Sequence, residues 1–293
     1  MGFNMGVPEL PQLEALTNAL RISCRGRRVD SVRLTSVAAL KTYQIPISRL
    51  TGLTVANWER RGKHICADLG RVWLVIHLGK LGWVEMRVDP VGPRRLQAMV
   101  IRLSHGETRG DPLTLVISEA GTEKRLALWV VQDPMELTRI ASLGPDPLDQ
   151  SFSREYLQSA LQSSASTLKT VLTDQTVISG IGNSYSDEIL HRARLSPFRL
   201  ARTLDDKEVS GLWVAATELI REEVRRAMDL SPTVLRQDKR QRLGVHGRVG
   251  EPCPTCGSTV RQVSYKDRSL YYCPECQTGG RILADRRLSR LLK

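Results

Sequence analysis

Apolar residues recur at helical spacing from the start of the chain. Leu10, Leu13, Ala15, Leu16, Ala19 and Leu20 fall on one face of a predicted helix. Pro8 and Pro11 sit where a first helical turn tolerates proline, because no donor is lost there. Glu9 suits the positive end of the helix dipole. The period then changes. From Arg28 to Ile140 short β-branched runs dominate, at 71–79, 82–88, 98–103, 112–119 and 125–132, with Gly, Pro and charged turns between them. Short strands at this spacing predict a β-sandwich or barrel. The stretch SLGPDPLDQS (142–151) breaks the pattern and marks a domain boundary. Helical spacing returns in 153–163, 165–174, 183–194 and Asp205–Met228; the last carries Val209, Leu212, Ala216, Leu219, Ile220 and Val224 on one face. RQDKRQRLG (236–244) reads as a charged linker.

Charge narrows the function classes. The 293 residues carry a net charge of +12, and 41% are hydrophobic, enough for real cores. Residues 236–293 hold 13 Lys/Arg against 5 Asp/Glu, so +8 of the +12 lies in the last fifth of the chain. Such an excess draws polyanions, nucleic acid first. No run approaches about 18 apolar residues. No charged segment followed by an apolar stretch marks a secretory signal. The expectation is a soluble intracellular protein with no membrane partner. Aromatics make up only 5%, too few for stacking to dominate binding.

The cysteines divide into two kinds. Cys24 and Cys66 are isolated and read as small buried hydrophobes. Cys253, Cys256, Cys273 and Cys276 form C-x2-C, sixteen residues, C-x2-C, the spacing of a closed four-cysteine zinc site. All four positions are used by protein, so one structural Zn2+ folds the module and does not catalyse. Between the pairs, TVRQVSY, KDR and SLYY read as strand, turn and strand. Lys266 and Arg268 stand at the tip, with Arg248, Arg261 and Arg281 flanking. A basic hairpin of this kind holds phosphates or enters a groove. A second phosphate site is suggested by ISGIGNSYSDEIL (178–190). Its glycines permit a tight turn, Asn183 is placed to cap the following helix, and N–H groups at a helix start bind anions.

In this order the pieces resemble the formamidopyrimidine-DNA glycosylase / endonuclease VIII family. The resemblance runs from about Val7 to Gln277. It rests on PELPQLEAL, RRGKHI (60–65), VIHLGKLG (75–82), LGPDPL (143–148), ISGIGNSYSDEIL, and VHGRVGEPCPTCG followed by DRSLYYCPECQ. It implies an α+β multidomain fold, with DNA in a cleft. A leading helix and β-sandwich span 1–145 and a helix–two-turns–helix domain spans 146–236. A zinc-finger β-hairpin follows at 237–280, then a basic tail at 281–293. The resemblance also assigns roles. A proline amine (Pro8) attacks C1′ of the damaged nucleotide, the adjacent glutamate (Glu9) serves base loss and proton transfer, and a lysine (Lys63) contacts phosphate and aids strand cleavage. Asn183 and Arg268 hold phosphate at the lesion, and His77 and Lys80 lie in the HLG stretch near the DNA.

The sequence departs from the family pattern in five places. Residues precede Pro8, so its nitrogen is a tertiary amide that cannot form a Schiff base. Lys80 stands where the family has a wedging methionine. The chain runs straight from RLAL into WVVQDP, with no Arg-Arg-Phe loop, and Trp129 reads as strand core. Gln12 replaces a usual glutamate, and 231–236 is short where many relatives carry a lesion-capping loop. The expectation is a monomeric base-excision DNA N-glycosylase acting on damaged duplex DNA in the cytoplasm or nucleoid. An accompanying AP lyase activity is put in doubt because Pro8 is not N-terminal in this sequence. The alternative is a catalytically impaired damaged-DNA-binding protein on the same fold.

Overall fold

The computed structural model describes residues 7–88, 92, 96–104, 111–264 and 269–283, without the side chains of 236, 237 and 239–241. The chain divides into two compact units, 1–142 with 224–238, and 143–223 with 239–293.

In the first unit, helix α1 (Leu10–Cys24) buries Leu10, Leu13, Leu16, Leu20 and Cys24, the face its spacing predicts. Each such aliphatic side chain removed from water contributes roughly 1.5–3 kcal/mol. Two antiparallel sheets follow. One has the order β1 (Val29–Leu34), β6 (Gln97–Leu103), β7 (Leu113–Glu119), β5 (Gly82–Arg87). The other has the order β2 (Asn57–Arg61), β3 (His64–Asp68), β4 (Trp73–His77), β8 (Ala127–Val131). Both sheets and α1 contribute to one core, which includes Trp58, Ile65, Leu74, Ile76, Trp83, Met99, Ile117 and Leu128. Arg60 on β2 reaches Glu14 on α1 at 2.7 Å, and Arg21 donates to the Trp58 carbonyl at 2.9 Å. A short helix α2 (Thr138–Ala141) ends the first stretch of this unit. Cys24 and Cys66 are fully buried, and burial pushes each thiol up to about 12.

The second unit contains α3 (Arg154–Gln162), α4 (Leu168–Thr173), α5 (Asn183–Arg192) and most of α6 (Asp206–Met228). It also holds the hairpin β9 (Arg261–Ser264)–β10 (Ser269–Tyr272) and the short helix α8 (Pro274–Thr278). Ser153 and Thr167 cap α3 and α4 through their side chains.

The expected linker at 236–244 is corrected. Helix α7 spans Pro232–Arg242. Proline starts a helix without losing a donor, the Gln, Lys and Arg residues that follow are good helix formers, and Leu235, 2% exposed, joins the core of the first unit.

Candidate active site and nucleic-acid interface

The opening motif is built as a helix start. Glu9 is the residue that caps α1, and it is 1% exposed. Its backbone N–H donates to Gln12 Oε1 at 3.3 Å, and the Glu9 carboxylate accepts from the Gln12 backbone N–H. This reciprocal capping box satisfies donors that a helix start leaves over. Gln12, a departure from the family motif, therefore still serves the box. Pro8 is buried beside Glu9, and Val7 precedes it as a described residue.

Lys63 lies in the two-residue turn between β2 and β3, where Arg61 pairs with His64. Gly62 takes φ 55°, the positive value such tight hairpin turns need. The same turn delivers His64, which the sequence reading did not single out. His64 lies opposite His77 in the β3–β4 ladder, with ring centroids 5.0 Å apart. It also meets the Trp129 ring edge-on at 6.0 Å. Arg139 covers the Trp129 ring at 5.0 Å. His64 Nδ1 pairs with the Arg61 carbonyl at 3.2 Å, and among the described residues its Nε2 has no hydrogen-bond partner. Burial holds His64 down at about 3, helped by His77, Arg139 and Lys63. Burial holds His77 down at about 4, with Arg139 and Lys63 adding to it. Lys63 and His77 are thus brought into one electrostatic neighbourhood, and both imidazoles are neutral at pH 7. His77 Nδ1 accepts the Gly79 amide at 3.3 Å. Trp129, 6% exposed on β8, is strand core as expected.

The turn that carries Lys80 crosses from β4 to β5, that is, from one sheet to the other. Gly79 has φ +61° there, and a Cβ would stand 2.7 Å from the Arg125 carbonyl carbon and oxygen. No other residue fits that approach. Lys80 is half-exposed and pairs with Glu123 at 2.7 Å; Arg125 shares the same carboxylate.

In the second unit, Asn183 is corrected from helix cap to first helical residue. Gly182 is the cap, with extended backbone. Asn183 is exposed at the positive end of a ten-residue helix, where anions bind. Residues missed in the sequence hold this turn. Gln175 accepts from the Gly180 amide at 3.0 Å and donates to the Ile181 carbonyl at 2.8 Å. Lys169 Nζ reaches the Asn183 carbonyl at 2.6 Å, Ser186 Oγ at 2.7 Å and Asp187 Oδ1 at 2.6 Å. Asp187 Oδ2 meets His246 Nδ1 at 2.7 Å, and the His246 ring stands edge-on to Tyr271. Glu188 accepts from the amides of Gly244, Val245 and His246 at 2.8–2.9 Å. Its carboxyl is raised, because burial outweighs the three donors that lower it.

The zinc residues converge. Cys253 and Cys276 sulfurs are 3.9 Å apart, and those of Cys256 and Cys273 are 3.4 Å apart. A tetrahedron with Zn–S bonds of about 2.3 Å has edges of about 3.8 Å, so the four thiols fit one structural zinc. When bound, that ion closes the hairpin onto the preceding loop. The amides of Thr255 and Cys276 point at Cys253 and Cys273 sulfurs at 3.4 and 3.5 Å. Arg248 is half-buried and pairs with Glu251 at 3.0 Å. Lys266 and Arg268 lie outside the described residues.

Three family models match the chain. They are the formamidopyrimidine-DNA glycosylase N-terminal domain over 7–114, the H2TH domain of the same glycosylases over 143–233, and the zinc finger found in FPG and IleRS over 250–279. The formamidopyrimidine-DNA glycosylase of Rhodopseudomonas palustris is 34% identical, over 92% of this chain and 100% of its own. The chain belongs to the formamidopyrimidine-DNA glycosylase family. A shorter formamidopyrimidine-DNA glycosylase-like protein of Mycobacterium tuberculosis is 51% identical over 152 residues, 52% of this chain and 95% of its own. The fold matches that of the Lactococcus lactis glycosylase solved with FAPY-dG-containing DNA. The TM-score is 0.81 at 22% identity, covering 92% of this chain and all of that one.

Proposed function

We infer that this chain is a base-excision-repair DNA glycosylase that binds damaged duplex DNA and removes a modified base. The observation that carries this reading is Glu9, buried and fixed by a reciprocal cap, in a chain that matches whole glycosylases end to end. The name of those relatives and the FAPY-dG-containing DNA bound by the Lactococcus lactis protein give the substrate class.

A base inside the duplex hides its sugar, so the nucleotide leaves the stack first. Glu9 then acts as general base on a water that attacks C1′, and it relays the proton towards the departing base. Lys63 offsets phosphate charge at this step, and the neutral His77 beside it offers hydrogen bonds without adding charge. Asn183 at the α5 start takes a phosphate through the helix N-terminus. Arg248, and by sequence Lys266 and Arg268, add positive charge for phosphate. Zinc holds the hairpin and takes no part in the reaction. A Schiff-base step needs the Pro8 nitrogen as a free amine, and in the sequence as given Val7 precedes it. Base release through Glu9 does not depend on that amine, whereas an AP lyase step at Pro8 does. No helix among the described residues is long and apolar enough to cross a membrane. We place the protein with the chromosome, in the cytoplasm or nucleoid, as a monomer.

The test uses the full chain on duplexes holding a formamidopyrimidine or oxidised purine. Base release by the wild type, lost in Glu9→Gln with DNA affinity kept, supports the reading. Release that survives Glu9→Gln refutes the role of Glu9. A borohydride-trapped adduct on the N-terminal residue shows that an AP lyase step accompanies base release, and its absence refutes such a step.

A further inference from the structure

The zinc centre has a fifth neighbour. His191, the ninth residue of α5, is 8% exposed, and its Nε2 lies 3.2 Å from Cys253 Sγ. That atom and the sulfurs of Cys253, Cys273 and Cys276 all lie within 4.8 Å of one another. Cys256 stands outside that set. The two facts define a geometry. Three sulfurs form a shared triangle. Cys256 Sγ reaches Cys273 of that triangle at 3.4 Å, and His191 Nε2 forms a group of four with the whole triangle.

The two completing ligands differ in exposure. Cys256 is exposed to solvent, whereas His191 is buried against the module it faces. Helix α5 packs on β10 and α8. Gln277 fastens that packing, donating to the Leu195 carbonyl at 2.9 Å and accepting from the Cys273 amide at 2.9 Å. The imidazole is therefore held in place by protein, independently of any metal.

We propose that His191 is a reserve zinc ligand, which replaces Cys256 in a three-cysteine, one-histidine set when Cys256 is lost to the metal. With four cysteines bound, His191 donates Nε2–H to the Cys253 thiolate, a contact that orients and tunes the ligand. On exchange, the zinc–Cys256 bond breaks, and Cys256 takes up one proton from the buffer and leaves as the neutral thiol. His191 passes its Nε2 proton to solvent, takes one at Nδ1, and offers the Nε2 lone pair to the metal. Imidazole and thiolate are both ordinary zinc donors, and three-cysteine, one-histidine sites are closed structural sites like the four-cysteine ones.

The proposal predicts an asymmetry among the cysteines. Zinc per chain and the visible spectrum of the cobalt(II)-loaded protein are measured for the wild type and for Cys256→Ala, Cys253→Ala, His191→Phe and Cys256→Ala/His191→Phe. Expected are one zinc in Cys256→Ala, none in Cys253→Ala, and none in the double variant. Cobalt in Cys256→Ala should show weaker sulfur charge-transfer bands and blue-shifted d–d bands than in the wild type, as one nitrogen replaces one sulfur. His191→Phe alone should keep one zinc and the four-sulfur spectrum, and lose zinc to a chelator faster than the wild type. A Cys256→Ala protein that fails to fold or loses zinc as fully as Cys253→Ala overturns the proposal. So does a double variant that keeps its zinc with the spectrum of Cys256→Ala.

Discussion

His64 and His77 face each other across the β3–β4 ladder, 5.0 Å between ring centroids, and both are neutral imidazoles at neutral pH. Their folded values, about 3 and about 4, lie below the roughly 6.5 of an unfolded histidine. The unfolded chain thus binds more protons than the folded one between those limits. The stability they contribute is complete above about pH 6.5 and is lost as pH falls towards 3, at about 1.4 kcal/mol per pH unit for each histidine. Urea melts at pH 7, 6 and 5 should show this loss. His64→Phe should roughly halve the slope.

Lys169 should prove a keystone of the second unit. Its ammonium is the cation on Asp187 Oδ1, and the Asp187 side chain is fully buried. Lys169→Met strands that carboxylate with His246 alone and should cost about 3 kcal/mol in denaturant melts. Adding Asp187→Asn should recover part of the loss, because a neutral amide is cheaper to bury than an unpaired charge.

The Lys80 turn separates two kinds of glycine. Gly79→Ala meets both a positive φ and the Arg125 backbone, and should cost at least about 2 kcal/mol. Gly26 has φ +79° with open space around it, so Gly26→Ala should cost only about 1 kcal/mol. Thermal melts of the two variants make the comparison.

Glu123 neutralises Lys80 and Arg125 together. Glu123→Gln releases both for phosphate. Its DNA affinity should rise at low salt, and the slope of log K against log salt should steepen by about 1 to 2. Mobility shifts across a salt series read both quantities.

The first helix, the sheets and the metal hairpin were legible because each is encoded locally, by apolar spacing or by paired cysteines. Misreadings arose where local chemistry was ambiguous. The charged run at 236–242 suits a linker or a helix equally, and Leu235, just before it, is what docks the helix. Asn183 is a good cap by type, yet Gly182 beside it takes the extended backbone a cap needs. Lys169, Glu188, His191 and His64 went unremarked for another reason. Glu188 meets residues 56 to 58 positions away and His191 meets one 62 away. No spacing rule covers such distances.

The Glu188 contact with residues 244–246 has a consequence for what this stretch of chain tolerates. Its three partners are backbone amides, which every residue except proline supplies. The Glu188 grip itself does not read the side chains of Val245 and His246, which are held separately by the core around the cysteines and by Asp187. A proline there, or one residue inserted or removed, breaks it and shifts every cysteine that follows. The connection to the metal module is written in length more than in spelling.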